Sequence, residues 1–269
     1  VSQTTVLGLR KNGTAGAVSL QDGAAAPDVS AWKKVSDILA LNGACFGATA
    51  SGRMVWAGDL ETLNIPEKTL RNWGEIASIC GERDSIVGLS YGGRVVALGN
   101  NAFGQCDVSD WRGITAVLAV RDDGIGYTLG VKEDGSVVSA GSTTLGQGDL
   151  SSWKNIAKCA SNGRSTLGLS WNETIYVAGT GESWIVGARK WTDIVDMAIG
   201  GWQAIGVKKD GTVLTVPNTF SGAEDAAAWS NIVAVWAGEN CVLGLDASGT
   251  LHMAGDGYSK ISGASWKLW

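Results

Sequence analysis

The chain has little proline, a single histidine and no long apolar run. It holds 3 prolines and 1 histidine, His252, in 269 residues. One histidine and no Cys-x-x-Cys pair exclude the usual zinc ligand sets. No apolar stretch reaches the length of a membrane-spanning helix, so no membrane insertion is expected. No block of like charge occurs in a chain of net charge −5. A nucleic-acid partner would call for a basic stripe, and none is visible in the sequence. The acidic balance instead suggests some preference for basic patches on a partner. No Gly-x-Ser-x-Gly or Asp-box motif occurs, and no carboxylate pair has its geometry fixed for glycosidase chemistry. His252 stands at a strand position that other units fill with Val96, Val138 or Leu214. It reads as a packed histidine rather than a catalyst. No catalytic residue, cofactor or metal site is expected. No signal-like segment opens the sequence at Val1, as in a processed or excised chain.

Cysteine is present but unpatterned: Cys45, Cys80, Cys106, Cys159 and Cys241. They read as buried or half-buried free thiols acting as small hydrophobes. A disulfide pair stays open at this point. Glycine and tryptophan are abundant, at 39 and 13 residues. Much glycine with little proline suggests many tight turns in an ordered chain.

The tryptophans show that the chain is one unit repeated. Trp32, Trp73, Trp111, Trp153, Trp191, Trp229 and Trp266 lie 41, 38, 42, 38, 38 and 37 residues apart. A second marker, Gly8, Gly47, Gly88, Gly130, Gly168, Gly206 and Gly244, has spacings of 39, 41, 42, 38, 38 and 38. Between the markers run short stretches of period-two apolar residues, separated by turn residues such as Asp134-Gly135 and Asp210-Gly211. That is the strand-and-hairpin pattern. A fourth short strand is expected before each tryptophan. A unit of this length with four strands is a propeller blade. The expected fold is therefore all-β: a seven-bladed β-propeller of four-stranded antiparallel blades, one domain over residues 1–269. The first unit lacks a tryptophan and the last stops soon after one. Ser265–Trp269 is thus expected to pair with the N-terminal strands and close one shared blade.

The stretch "GNNAFGQC", Gly99 to Cys106, has nearly the spacing of a phosphate-binding loop. It lacks the lysine, no helix pattern follows, and it recurs as "GSTTLGQG", Gly141–Gly148. A blade corner explains the recurrence, with Gln105 bonding to backbone.

The units resemble the regulator of chromosome condensation repeat. The pattern is W-x-x-I-x-x-I-x-x-G, then G-L-x-x-D-G-x-V-x-x-x-G-x-N-x-x-G-Q, and the best copy runs from Trp73 to Cys106. The closest likeness is to the compact bacterial type, similar to the β-lactamase-inhibitor propeller. The resemblance implies the propeller fold and a role in protein–protein contact through loops on one face. It also favours a bacterial secreted or surface protein, with a cytoplasmic one open. No functional residue of the family is carried over.

The expected function is thus a non-enzymatic, monomeric binding module with a protein partner. A carbohydrate-binding module using tryptophan platforms is the alternative. The marker tryptophans are structural, and Trp236, aligned with Cys80, Leu39 and Ala198, is expected in the core. Trp171, Trp184 and Trp202 break the repeat at turns and are candidate interface anchors. One unit carries an insertion at Val120–Tyr127. Its Arg121, Asp122, Asp123 and Tyr127 complete the candidate contact set.

Overall fold

The computed structural model describes residues 5–19, 21, 23–122, 124–142, 144, 150–179, 184–217, 223–238 and 241–255. These residues form seven successive antiparallel sheets. Sheet 1 pairs β1 (Thr5–Leu9) with β2 (Ala15–Ser19). Sheet 2 holds β3 (Val35–Leu41), β4 (Ala44–Thr49) and β5 (Met54–Gly58). Sheet 3 holds β6 (Ile76–Glu82), β7 (Ser85–Ser90) and β8 (Val95–Gly99). Sheet 4 holds β9 (Ile114–Asp122), β10 (Ile125–Lys132) and β11 (Val137–Gly141). Sheet 5 holds β12 (Ile156–Ser161), β13 (Ser165–Ser170) and β14 (Ile175–Gly179). Sheet 6 holds β15 (Ile194–Ile199), β16 (Gln203–Lys208) and β17 (Val213–Pro217). Sheet 7 holds β18 (Ile232–Ala237), β19 (Cys241–Asp246) and β20 (Leu251–Gly255). Sheets 1–4 form one compact unit and sheets 5–7 a second.

The middle strands of sheets 2–6 are buried along most of their length, and β13, "STLGLS", throughout. Burial on both faces explains why these strands read as near-continuous small and apolar runs. Each described marker tryptophan lies over the marker glycine of its own sheet. A Cβ built on Gly206 would stand 2.8 Å from the Trp191 ring, and one on Gly130 2.7 Å from Trp111. The glycine is required because the indole occupies the space of its side chain. Trp191 also faces the preceding sheet, packing in one cluster with Leu167, Leu169 and Ile175.

The expected fourth strand is not among the described elements. Its place is taken by a turn in each of six units. The amide of each marker tryptophan from Trp32 to Trp229 bonds back three residues, for instance Trp111 to the Val108 carbonyl at 3.0 Å and Trp153 to Leu150 at 2.9 Å. The acceptor residues Val29, Leu70, Val108, Leu150, Ala188 and Ala226 are all buried. Three of these turns grow into short helices: α1 (Glu67–Arg71) and 3-10 turns at Ile185–Lys190 and Ala223–Ala228. The reason is local. A segment such as "AEDAAA" is rich in helix formers and has no β-branched alternation. The closing strand expected from Ser265–Trp269 lies outside the described residues, as does most of "GSTTLGQG".

The corner "GNNAFGQC" has the structural role read from sequence. Gly99 adopts φ +104°, and a Cβ there would overlap the Asp84 carbonyl. Gly58, Gly141, Gly179 and Gly255 repeat this conformation at the same strand end. Gln105 is buried; its Oε1 accepts from the Phe103 amide at 2.9 Å, and its carbonyl accepts from Thr128 Oγ1 at 2.8 Å. Gly99→Ala is expected to cost about 1–3 kcal/mol, through backbone strain and overlap. Urea unfolding measures it, and an unchanged midpoint would refute the reading.

Candidate binding surface

Every three-stranded sheet has two ends. The turn joining its first and second strands marks one, here the A end. The turn joining its second and third strands marks the B end. The last residue of each third strand sits beside the first of the second, as Gly179 pairs with Ser165, so the loop leaving the sheet starts at the A end.

The candidate tryptophans divide between these ends. Trp171 follows β13 in the B-end turn and is 54% exposed. Its amide donates to the Asn155 carbonyl at 2.7 Å. Trp202 lies in the A-end turn between β15 and β16 and is 41% exposed. Trp184 lies between β14 and the 3-10 turn at Ile185, which it opens. It is half-buried, packed on the cluster around Trp191.

Trp236 was expected in the core, and the structure corrects this: it is 48% exposed. The aligned residues Leu39, Cys80 and Ala198 are themselves only half-buried. Small or mid-sized groups fit such a position, whereas an indole extends past it into solvent. Trp236 is the penultimate residue of β18, beside the A-end turn of sheet 7. Its size against its counterparts was the available signal.

The A-end turns of sheets 5, 6 and 7 are bonded in series. Asn162 Nδ2 donates to the Gly200 carbonyl at 3.0 Å. The Gly201 amide donates to the Gly238 carbonyl at 3.3 Å. The wholly buried Gln203 donates from Nε2 to the carbonyls of Gly238 and Cys241, at 2.9 and 3.1 Å. Trp202 thus stands on one of two turns held together by Gln203, and Trp236 on the strand that leads into the other. The first strands are joined too. Asp196 Oδ2 accepts from the Val235 amide at 3.0 Å, while Oδ1 takes Lys158 Nζ at 2.5 Å. In sheets 2 and 3, Asp37 likewise accepts from the Ile79 amide at 2.8 Å. Burial raises the Asp37 carboxyl, and the amides of Ile79 and Ile38 counter it.

The inserted segment is not a free loop. It lengthens the β9–β10 ladder, with Arg121 opposite Gly126 and Asp122 opposite Ile125. Gly124 turns the hairpin at φ +74°. Tyr127, expected at the contact surface, is wholly buried. Phe103 and Gln105 from the preceding corner pack over neighbouring Gly126. The side chains of Arg121 and Asp122, and all of Asp123, fall outside the described residues.

His252 Nε2 lies 2.9 Å from Asp246 Oδ2, and its ring tilts against Trp229 at 5.7 Å between centroids. That geometry suits a packed histidine. All five cysteines are free. Burial pushes the thiols of Cys80 and Cys159 up to about 12, from an ordinary 9.0. Burial likewise raises Cys45 and Cys106 to about 11. A rise from 9 to 12 lowers the thiolate fraction at pH 8 about a thousandfold. Native protein is therefore expected to react slowly with Ellman's reagent, and to release five equivalents only in denaturant. Fast release of five equivalents from the native state would contradict this. Among the described residues, no cluster of three His, Cys, Asp or Glu is placed to hold a metal. No described helix is long and apolar enough to cross a membrane.

Seven consecutive antiparallel sheets make this fold a seven-bladed β-propeller. Its fold is similar to that of solved propellers that include the yeast regulator of chromosome condensation protein, Prp20. Human WBSCR16 superposes with a TM-score of 0.65 at 15% identity, over 98% of this chain and 91% of that one. Prp20p from Saccharomyces cerevisiae, described with its binding to Gsp1p and histones, gives 0.64 at 13% identity, over 95% and 81%. The ectodomain of the Arabidopsis thaliana receptor kinase ACR4 gives 0.65 at 14% identity, over 94% and 91%. No family model and no curated protein sequence matches the chain.

Proposed function

We propose that this protein is a non-enzymatic protein-binding propeller whose contact surface is the A end of sheets 5–7. One observation carries the reading. Trp202 and Trp236, both more than two-fifths exposed, stand in and beside neighbouring turns tied by a buried glutamine. Exposed indoles on a rigid frame are typical interface anchors, since little conformational entropy is lost on binding. Trp184 is half-buried against the Trp191 cluster and is not part of this surface. The structural neighbour Prp20p binds proteins, as do Prp20 and Kap60 in their complex, which agrees with this use of the fold.

Chemical footprinting of the full chain tests the proposal. Indole modification at Trp202 and Trp236 should drop when a captured protein partner is bound, with Trp171 still labelled. Protection by a glycan in place of a protein would assign the surface to carbohydrate. Protection of Trp171 alone would move the surface to the opposite end.

A further inference from the structure

The B end of sheets 1–4 has a charge opposite to that of the whole chain. The β1–β2 turn, whose Gly13 carbonyl meets the β3 entry, carries Arg10 and Lys11; Lys33 and Lys34 precede β3, Arg53 and Arg94 lie in the β4–β5 and β7–β8 turns, and Arg112 precedes β9. All seven side chains are exposed. Among the described residues none of the seven forms an ion pair. Carboxylates stand on the same rim as well: Glu75 before β6, and Glu133 and Asp134 in the β10–β11 turn.

The rim is continuous. The Val35 amide donates to the Gly13 carbonyl at 2.9 Å, and Ala50 to Lys34 at 2.8 Å. Ile76 donates to Gly52 at 3.0 Å, Tyr91 to Glu75 at 2.8 Å, and Ile114 to Gly93 at 3.1 Å. Each turn is therefore fixed to the entry of the next sheet, and the cations sit along one bonded track. The A end of the same unit is acidic, with exposed Asp59, Glu61 and Glu82. Scattered at one to three per repeat, the cations make no long run in the sequence. The fold gathers them.

We propose that this basic rim docks an acidic segment of a partner protein. Charge complementarity sets the sign of the partner. Two features favour a protein over nucleic acid. A uniformly charged phosphate chain would place phosphates against Glu75 and Glu133, whereas a peptide can set neutral residues there. A long polyanion would also meet the field of a chain of net charge −5. Tyr91, 61% exposed between Arg53 and Arg94, adds an apolar seat. Its hydroxyl is held by the Ala50 carbonyl at 3.3 Å.

Fluorescence anisotropy with the full chain and a labelled short peptide of Glu, Asp and one Phe tests the proposal. Binding should weaken at least about tenfold between about 0.05 M and 0.5 M salt. The triple variant Lys33→Glu, Arg53→Glu, Arg94→Glu should weaken it about thirtyfold or more. Lys68→Glu, on α1 away from the rim, and Trp202→Ala should leave it unchanged. Thermal melting of the triple variant controls for folding. The proposal is overturned if the peptide fails to bind at low salt, if the triple variant folds and binds as well, or if a single-stranded oligonucleotide of equal charge binds more tightly.

Discussion

Trp191→Ala is expected to lower stability by about 3–5 kcal/mol, read from urea or guanidinium unfolding. Trp191 is 7% exposed and lies within a cluster built from both sheets 5 and 6. A buried indole removes about 150–250 Å² from water, roughly 4–6 kcal/mol at 25 cal/mol per Å². The cavity would be hard to close, because one wall is the backbone of Gly206. Gly206→Ala should cost about 1–3 kcal/mol by the opposite route, since its Cβ would press on the ring at 2.8 Å. The two changes share one space, so their double variant should cost less than the sum of the singles. A loss under about 1 kcal/mol for Trp191→Ala, or strict additivity, would show that the pair is not the packing unit of the sheet.

That pair is also why the fold was legible. The indole–glycine contact needs both residue types at one place in every sheet, so the requirement repeats in the sequence at the period of the structure. Elements that satisfy the same pattern in two ways were not legible. A buried residue three positions before tryptophan fits a short strand or a turn, and the backbone bond from Trp111 to Val108 decides for the turn. The insertion before Tyr127 fits a loop or a lengthened hairpin. Only the pairing of Arg121 with Gly126 separates them, and it buries Tyr127. Alignment placed Trp236 on a strand, but could not show that the position is half-buried in its counterparts. The basic rim is not legible in the sequence for a different reason: residues such as Arg53 and Arg94 lie a full repeat apart and come onto one rim only through the fold.

The exposed indoles of sheets 6 and 7 bear on binding rather than on stability. Trp202→Ala with Trp236→Ala should weaken a protein partner by about a hundredfold to a thousandfold, or about 2.7–4.1 kcal/mol. Both indoles are substantially solvated, 41% and 48% exposed, so their loss should move the unfolding midpoint little. The change should fall mainly on dissociation, because removing anchors leaves long-range encounter forces intact. Gln203→Ala should act through position instead. It removes the donors to Gly238 and Cys241 while leaving both indoles in place. It should therefore weaken binding less than the double variant, and also loosen the turn, which hydrogen exchange at Gly201 would read as reduced protection. Trp171→Ala is the internal control: it removes an even more exposed indole, but from the B end. If Trp171→Ala weakened binding as much as the double variant, general surface hydrophobicity would explain the contact. If only Trp202 and Trp236 matter, the partner recognises two indoles whose placement depends on the bonded turns of sheets 6 and 7.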